Sequence, residues 1–259
     1  MVGTLWRTLT GSLALVSGRI SMPDIERAIR NKYSDGVEVA TAREQLRIGL
    51  TPGERALFAR HLATGDRVLD VGCASGRVSL ALAEMGVRTT GCDVNPTLIG
   101  QAVELTRAAT GPIGFLVADA RRLGFRDGVF DAVLLVGSVV CYIRSRRERR
   151  RTFEDIRRIL KPRGRLFVVT PSREYSWKFR AWFAAMSATH RALGLVGQAA
   201  RDWEIGDRVG PAWSGDTSRL VYWYMYAPAE LAADLTATDF DIVESDPDAY
   251  MMTYVARRR

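Results

Sequence analysis

Short apolar runs alternate with amphipathic stretches along most of this chain. Residues 67–71, 113–118 and 130–136 are almost continuously apolar over strand length, as expected of strands buried on both faces. Between them the apolar spacing turns helical, and the helix starts carry explicit signals. Thr51-Pro-Gly-Glu54 combines a capping box with proline at the first helical position, and Asn95-Pro96 sets a capping side chain before a helix predicted to run to about residue 109. Helices are also predicted at 23–32 and 37–46. Residues 159–170 pass from a helix end through Pro162 and Gly164 into a further strand. Near the C-terminus a helix at 227–237 precedes strands at 239–245 and 250–257, which a short Asp-Pro-Asp-Ala turn joins as an antiparallel hairpin. Strands alternating with helices imply an α/β domain.

The stretch 67–96, RVLDVGCASGRVSLALAEMGVRTTGCDVNP, concentrates the chemistry. A strand closed by Asp70 runs into a tight loop, Gly72-Cys73-Ala74-Ser75-Gly76. A helix and a second strand closed by Asp93 follow. Glycines let backbone approach a ligand that a Cβ would block, and a helix start presents N–H groups to anionic ligand atoms. Asp93, next to Val94, lies about 20 residues past the first glycine, where a carboxylate can accept both ribose hydroxyls. An adenosine-containing cofactor is therefore expected. A dinucleotide loop needs G-x-G-x-x-G to wrap a pyrophosphate, whereas this loop is G-x-x-x-G.

The string VLDVGCASG resembles motif I of the class I S-adenosylmethionine (SAM)-dependent methyltransferases, with Ala74 at the family's middle glycine. Later segments are similar in order and spacing. Asp119-Ala120 matches the acidic position after strand three that meets the adenine. FDAVLLV at 130–136 matches the motif after which Gly137 and Ser138 line the floor of the methyl-transfer site. ILKPRG resembles the family's L-K-P-G-G turn, with Arg163 replacing a glycine. The resemblance implies SAM as cofactor and a three-layer αβα, Rossmann-like, seven-stranded sheet whose last two strands form an antiparallel hairpin. Its implied cofactor-binding residues are Asp70, Gly72, Cys73, Ala74, Gly76, Asp93, Val94, Asp119, Ala120, Gly137 and Ser138. If the acceptor is a hydroxyl or ammonium group a general base helps, and the candidate catalytic residues are Tyr142 and His190. Tyr33 resembles an aromatic residue that folds over the cofactor in some small-molecule methyltransferases.

Residues 171–226 interrupt the pattern. The insertion is too long for a simple connection and falls at the carboxyl edge of the sheet, where ligands bind. It carries five of the six tryptophans. It is expected to be a substrate cap, either through aromatic side chains walling an apolar pocket or with Trp177, Phe179, Trp182, Phe183 and Met186 forming the buried face of a helix. The chain divides accordingly into an N-terminal helical extension, 1–52, and a SAM-binding domain, 53–259, with the cap inserted at 171–226.

The 259 residues carry a formal charge of +8, and residues 144–165 alone hold eleven basic and three acidic side chains. That segment either attracts anions or forms a solvated helix face. No apolar run spans a bilayer. Leu5, Leu9, Leu13, Val16 and Ile20 share one helical stripe, which allows peripheral membrane contact through residues 1–20. Cys73, Cys92 and Cys141 lack C-x-x-C spacing and read as reduced thiols of a cytoplasmic protein, with no metal site expected. The leading functional expectation is a SAM-dependent methyltransferase acting on a small apolar or aromatic metabolite. A methyltransferase of RNA (tRNA), with nucleic acid as partner, and a non-catalytic SAM-fold binding module are the alternatives.

Overall fold

The computed structural model describes Pro23, Arg27 and residues 44–109, 111–194, 203–211 and 220–259. Of the helix expected at 23–32, only Pro23 and Arg27 are described, both helical; residues 1–20 and Tyr33 lie outside the described residues. The first long helix, α1 (Pro52–His61), starts as the capping box requires, with the Glu54 N–H donating to Thr51 Oγ1 and the Thr51 N–H donating to Glu54 Oε2. There follow β1 (Arg67–Val71), α2 (Arg77–Glu84), β2 (Arg88–Asp93), α3 (Pro96–Leu105), β3 (Ile113–Val117) and β4 (Phe130–Val136). A 3-10 turn at Val140–Tyr142 leads to α4 (Arg146–Ile159) and β5 (Leu160–Pro171). Next come α5 (Trp177–Gly194), β6 (Asp207–Pro211) and β7 (Leu220–Tyr224), and then α6 (Pro228–Ala237), β8 (Phe240–Asp246) and β9 (Met251–Arg258).

Seven strands form one sheet in the order β3-β2-β1-β4-β5-β9-β8, parallel from β3 to β5 and antiparallel over β5, β9 and β8. This is the α/β sheet with a terminal hairpin that the sequence predicts. Strand order reverses between β1 and β4, so the crevice for a ligand opens at the carboxyl ends of those two strands. Apolar layers cover both faces. On one, Leu57, Phe58, Val78 and Leu82 pack on Val68, Leu134 and Phe167; on the other, Phe153, Ile156, Leu231 and Leu235 pack on Leu69, Val133 and Val168.

Local departures from the expected boundaries have identifiable causes. Helix α3 stops at Leu105 rather than near residue 109 because Thr106 turns its hydroxyl onto the Ala102 carbonyl at 2.6 Å and the next residues close as turns. The Lys-Pro-Arg-Gly segment lies within β5 as a bulge. Register against β4 jumps between the Phe130↔Leu160 and Ala132↔Arg165 pairs, and Arg163, standing where a glycine was expected, adopts φ +64°. Asp131 ties this bulge down, accepting from Lys161 Nζ at 2.7 Å and from the Arg67 N–H at 2.9 Å.

Residues 172–226 leave the sheet and return to it at neighbouring points. Ser172 bridges Tyr226, and Arg173 donates from its N–H to the Tyr226 carbonyl and from Nη1 to the Met225 carbonyl. The described part of this excursion is α5 and a two-stranded antiparallel ribbon, β6-β7. Among the described residues no helix is long and apolar enough to cross a membrane.

The Arg-rich stretch divides between exposed cations, Arg147 and Arg151, and cations paired within the fold. Arg149 is fully buried within α4. Its Nε donates to Tyr226 Oη at 3.1 Å, its Nη1 donates to the Ile143 carbonyl at 3.2 Å, and its Nη2 pairs with Glu204. The guanidinium stacks 3.3 Å from the Tyr224 ring centroid. Arg146 and Arg150 both reach the buried carboxylate of Asp234 on α6 at 2.7 Å, and Arg158 pairs with Asp155 and Asp127. Helix α4 therefore uses its cations to fasten α6 and the end of the ribbon where β6 begins and β7 finishes.

Candidate functional site

The loop at the end of β1 is bent by three residues in the left-handed region, Gly72 (φ +73°), Ala74 (φ +49°) and Gly76 (φ +90°). Glycine accommodates this backbone without strain; alanine at 74 bears a cost that its surroundings must hold. They do so through hydrogen bonds. The Gly72 and Cys73 N–H groups both donate to the Cys92 carbonyl, at 2.7 and 3.0 Å, and the Ala74 N–H donates to Asp93 Oδ2 at 3.1 Å. Loop and second strand are thus one unit. A Cβ on Gly72 would overlap the Val139 side chain, which brings the segment leaving β4 directly over the loop.

Asp70 lies beneath the loop rather than in its mouth. It is fully buried, accepts from Ser79 Oγ at 2.6 Å and from the Ser79 backbone, and burial lifts its carboxyl to about 6. No side chain of the Gly76 N-cap closes α2, so Asp70 serves that helix end from the strand. Asp93 faces the crevice. Its oxygens accept from Ala74 and Asn95 N–H groups, and burial holds its carboxyl above the usual range. Val94 continues from it to the Asn95 cap of α3, whose side chain accepts from the Thr97 N–H at 2.8 Å.

Asp119 follows β3 and sits beside the end of β2, because the Ala118 N–H donates to the Asp93 carbonyl at 3.0 Å. Arg121 grips the Asp119 carboxylate, Nη2 to Oδ2 at 2.7 Å and Nε to Oδ1 at 3.0 Å. Ala120 lies between the two. The Arg121 backbone N–H also donates to Asp119 Oδ1, at 3.0 Å, so the carboxylate is held in place by the residue two positions on. At the end of β4, Gly137 takes φ +97° and donates to the Val169 carbonyl at 2.8 Å, and a Cβ built on it meets open space. The Ser138 carbonyl accepts from Cys141, winding the turn that ends at Tyr142. The cofactor candidates from Gly72 to Ser138 are thus gathered at the carboxyl ends of β1, β2, β3 and β4.

The two candidate bases differ in what surrounds them. Tyr142 packs edge-on against Trp223 of β7, ring centroids 5.7 Å apart. His190 falls on α5, and its side chain lies outside the described residues. The proposed apolar face of α5 is only partly right: Phe183 and Met186 are buried, whereas Trp177 is 67% exposed because its spacing from Phe179 turns it off that face. The sequence does not single out three neighbours of the site: Arg208, beside Trp182 and Trp223; Tyr250, which packs on Tyr175 and Phe179; and Ser79, the partner of Asp70. None of the three cysteines forms a disulfide, and burial raises the thiol pKa of Cys73 and Cys92.

A parallel sheet with an antiparallel terminal hairpin, a left-handed glycine loop after the first strand and carboxylates after the second and third together define a Rossmann-like nucleoside-cofactor protein. The comparisons give the particular family. The methyltransferase domain family matches residues 68–164. An O-methyltransferase of Aspergillus nomiae is 32% identical over 174 residues, which cover 64% of this chain and 69% of that one. A SAM-dependent methyltransferase from Methanosarcina mazei superposes with TM-score 0.64 at 24% identity, over 81% of this chain and 98% of that one. The 1,6-didemethyltoxoflavin-N1-methyltransferase of Burkholderia thailandensis, solved with S-adenosylhomocysteine, gives TM-score 0.58 at 19% identity, over 95% and 91%. The first curated relatives that the chain matches, at 35% and 36% identity, are similar over 38% and 43% of this chain, which spans 39% and 40% of their own length. The chain belongs to the SAM-dependent methyltransferase family, and SAM is its cofactor. The open space at Gly137 and the inward carboxylate of Asp93 fit that cofactor.

Proposed function

We propose that this protein transfers a methyl group from SAM to a small apolar or aromatic metabolite. The observation that carries the reading is a set of aromatic rings near the carboxyl ends of β4 and β5. Trp182 of α5, Trp223 of β7, Tyr142 after β4 and Tyr250 before β9 come from four separate segments, and Tyr250 meets Phe179 edge-on at 6.2 Å. Such a set of rings suits an apolar ligand body.

SAM supplies a methyl group already activated on a sulfonium centre. The chain's work is then binding, orientation and exclusion of water. Asp93 and Val94 hold the ribose, Asp119 and Ala120 meet the adenine edge, and the loop from Gly72 through Cys73 and Ala74 to Gly76 receives the amino-acid end. Asp70 acts by fixing the loop and α2. Gly137 and Ser138 form the floor on which the acceptor atom approaches. Tyr142, at the border of this floor and the aromatic set, is the preferred proton acceptor when the acceptor atom carries a proton, ahead of His190. Residues 171–226 serve as the acceptor-side cap.

Radiolabelled SAM incubated with the protein and a metabolite extract tests this. Label is expected in the solvent-extractable small-molecule fraction. Label in added tRNA would support the RNA-modifying reading instead, and SAM binding without transfer to any fraction would support a binding module. The internal pairing of Arg146, Arg149, Arg150 and Arg158 weighs against an RNA-docking role for α4.

A further inference from the structure

Arg208 stands on β6 with its guanidinium beside two indoles. Its Cζ lies 5.2 Å from the Trp182 ring centroid and 5.4 Å from that of Trp223, so one ring from α5 and one from β7 neighbour the cation. Its Nε is enclosed and has no hydrogen-bond partner. Among the described residues no carboxylate lies within ion-pair distance of it, in contrast to Arg149, which has Glu204. The titratable groups whose electrostatic influence reaches Arg208 are Tyr250, Cys141 and Tyr142. Burial pulls its pKa below the ordinary value, the mark of a cation without its counter-charge.

The position of this cation matters as much as its lack of a partner. Trp223 touches both Arg208 and Tyr142, and Tyr142 stands five residues beyond Gly137. The guanidinium therefore borders the acceptor side of the site, away from the ribose and adenine carboxylates. The indoles offer their π faces to the cation, and among the described residues no hydrogen bond engages the terminal-nitrogen edge of the guanidinium. That edge matches a planar carboxylate through two parallel charge-assisted hydrogen bonds. The surrounding rings match an apolar body.

We infer that Arg208 is the anion-recognition residue of the acceptor site, and that the acceptor is an apolar or aromatic metabolite bearing a carboxylate. The inference rests on the methyl-transfer reading of this site. The carboxylate is the anchor, and the rings of Trp182, Trp223 and Tyr142 cover the rest of the molecule.

The test uses the full chain saturated with S-adenosylhomocysteine and matched probes, cinnamate against cinnamamide and 4-hydroxybenzoate against 4-hydroxybenzamide. Calorimetry gives affinity, and quenching of tryptophan fluorescence reports contact with the two indoles. Loss of a charge-assisted pair predicts roughly tenfold or greater preference for each carboxylate over its amide. Arg208→Gln should remove that preference, Arg208→Lys should keep part of it, and S-adenosylhomocysteine affinity should be the same in all three proteins. Should Arg208→Gln fail to fold, the wild-type preference and the lysine variant decide. The inference is overturned if no carboxylate probe binds the loaded protein, if acids and amides bind alike, or if the preference survives in Arg208→Gln. It is also overturned if Arg208→Gln specifically loses S-adenosylhomocysteine, since the cation would then serve the cofactor's own carboxylate. Failure of the wild-type protein to bind S-adenosylhomocysteine at all would instead overturn the methyltransferase reading.

Discussion

Replacing Arg149 with methionine keeps most of the side-chain stem but removes the buried guanidinium that joins α4 to the ribbon. Its three polar contacts run to Tyr226, the Ile143 carbonyl and Glu204, and its plane stacks on Tyr224. Breaking a buried ion pair costs about 3–5 kcal/mol, and the lost stacking adds about 1–2 kcal/mol. Two features reduce the total. Glu204 is 26% exposed and still accepts from the Arg146 N–H at 2.7 Å, while Tyr226 Oη still has Asp234 at 3.1 Å. We expect a net loss of about 4 kcal/mol, a large share of the ~5–15 kcal/mol of a typical domain. At roughly 2–4 °C per kcal/mol for a chain of this size, Tm should fall by roughly 8–16 °C. Glu204→Gln should cost more than Arg149→Met, because it strands a wholly buried cation rather than a partly hydrated carboxylate. Calorimetry on both variants and on the double variant reads each term. A fall of Tm below about 3 °C for Arg149→Met, or the reverse order of the two single variants, would refute the reasoning.

Asp93→Ala should weaken S-adenosylhomocysteine binding by about 2–4 kcal/mol, the loss of two charge-assisted ribose hydrogen bonds plus the loop contact at Ala74, with affinity read by calorimetry. An unchanged Kd would place the ribose elsewhere. Asp70→Asn tests a linkage: burial lifts the Asp70 carboxyl from its ordinary 3.8 to about 6, so the native state holds the proton more tightly than the unfolded chain across that window. Wild-type stability should therefore fall, relative to the variant's, as pH rises from about 4 to about 6. Asp207, also raised to about 6 by burial, is present in both proteins and cancels. Urea midpoints that differ by a constant amount across this range would disprove the shift.

The sheet was legible because its strands advertise themselves locally. FDAVLLV has no competing reading, and the capping signals at Thr51 and Asn95 mark helix starts whose side chains do accept the N–H groups they should. The loop was legible for a similar reason: a G-x-x-x-G turn between an apolar strand and a helix has few conformations, and all are local. Boundaries slipped where a single side chain intervened, as Thr106 does at the end of α3. The bulge in β5 was hidden because it depends on register with β4, which sequence spacing does not encode.

The arginines mark the deeper limit. RSRRERRR contains five arginines within six positions of 146–151, and nothing in that string separates Arg149 from its neighbours. Their fates diverge because helical geometry sends every third or fourth side chain the same way: Arg146, Arg149 and Arg150 turn toward α6 and the ribbon, while Arg147 and Arg151 face solvent. What makes burial of Arg149 tolerable is Glu204, 55 residues on, together with the Tyr224 and Tyr226 rings. Arg208 is the same residue type with two indoles and, among the described residues, no carboxylate beside it. Composition counts the two alike, yet one has its charge answered within the fold and the other has its charge held open at the acceptor side. The contrast between a satisfied and an unsatisfied buried cation, set only by tertiary contacts, is therefore the sign by which a structural arginine is told from a ligand-binding one.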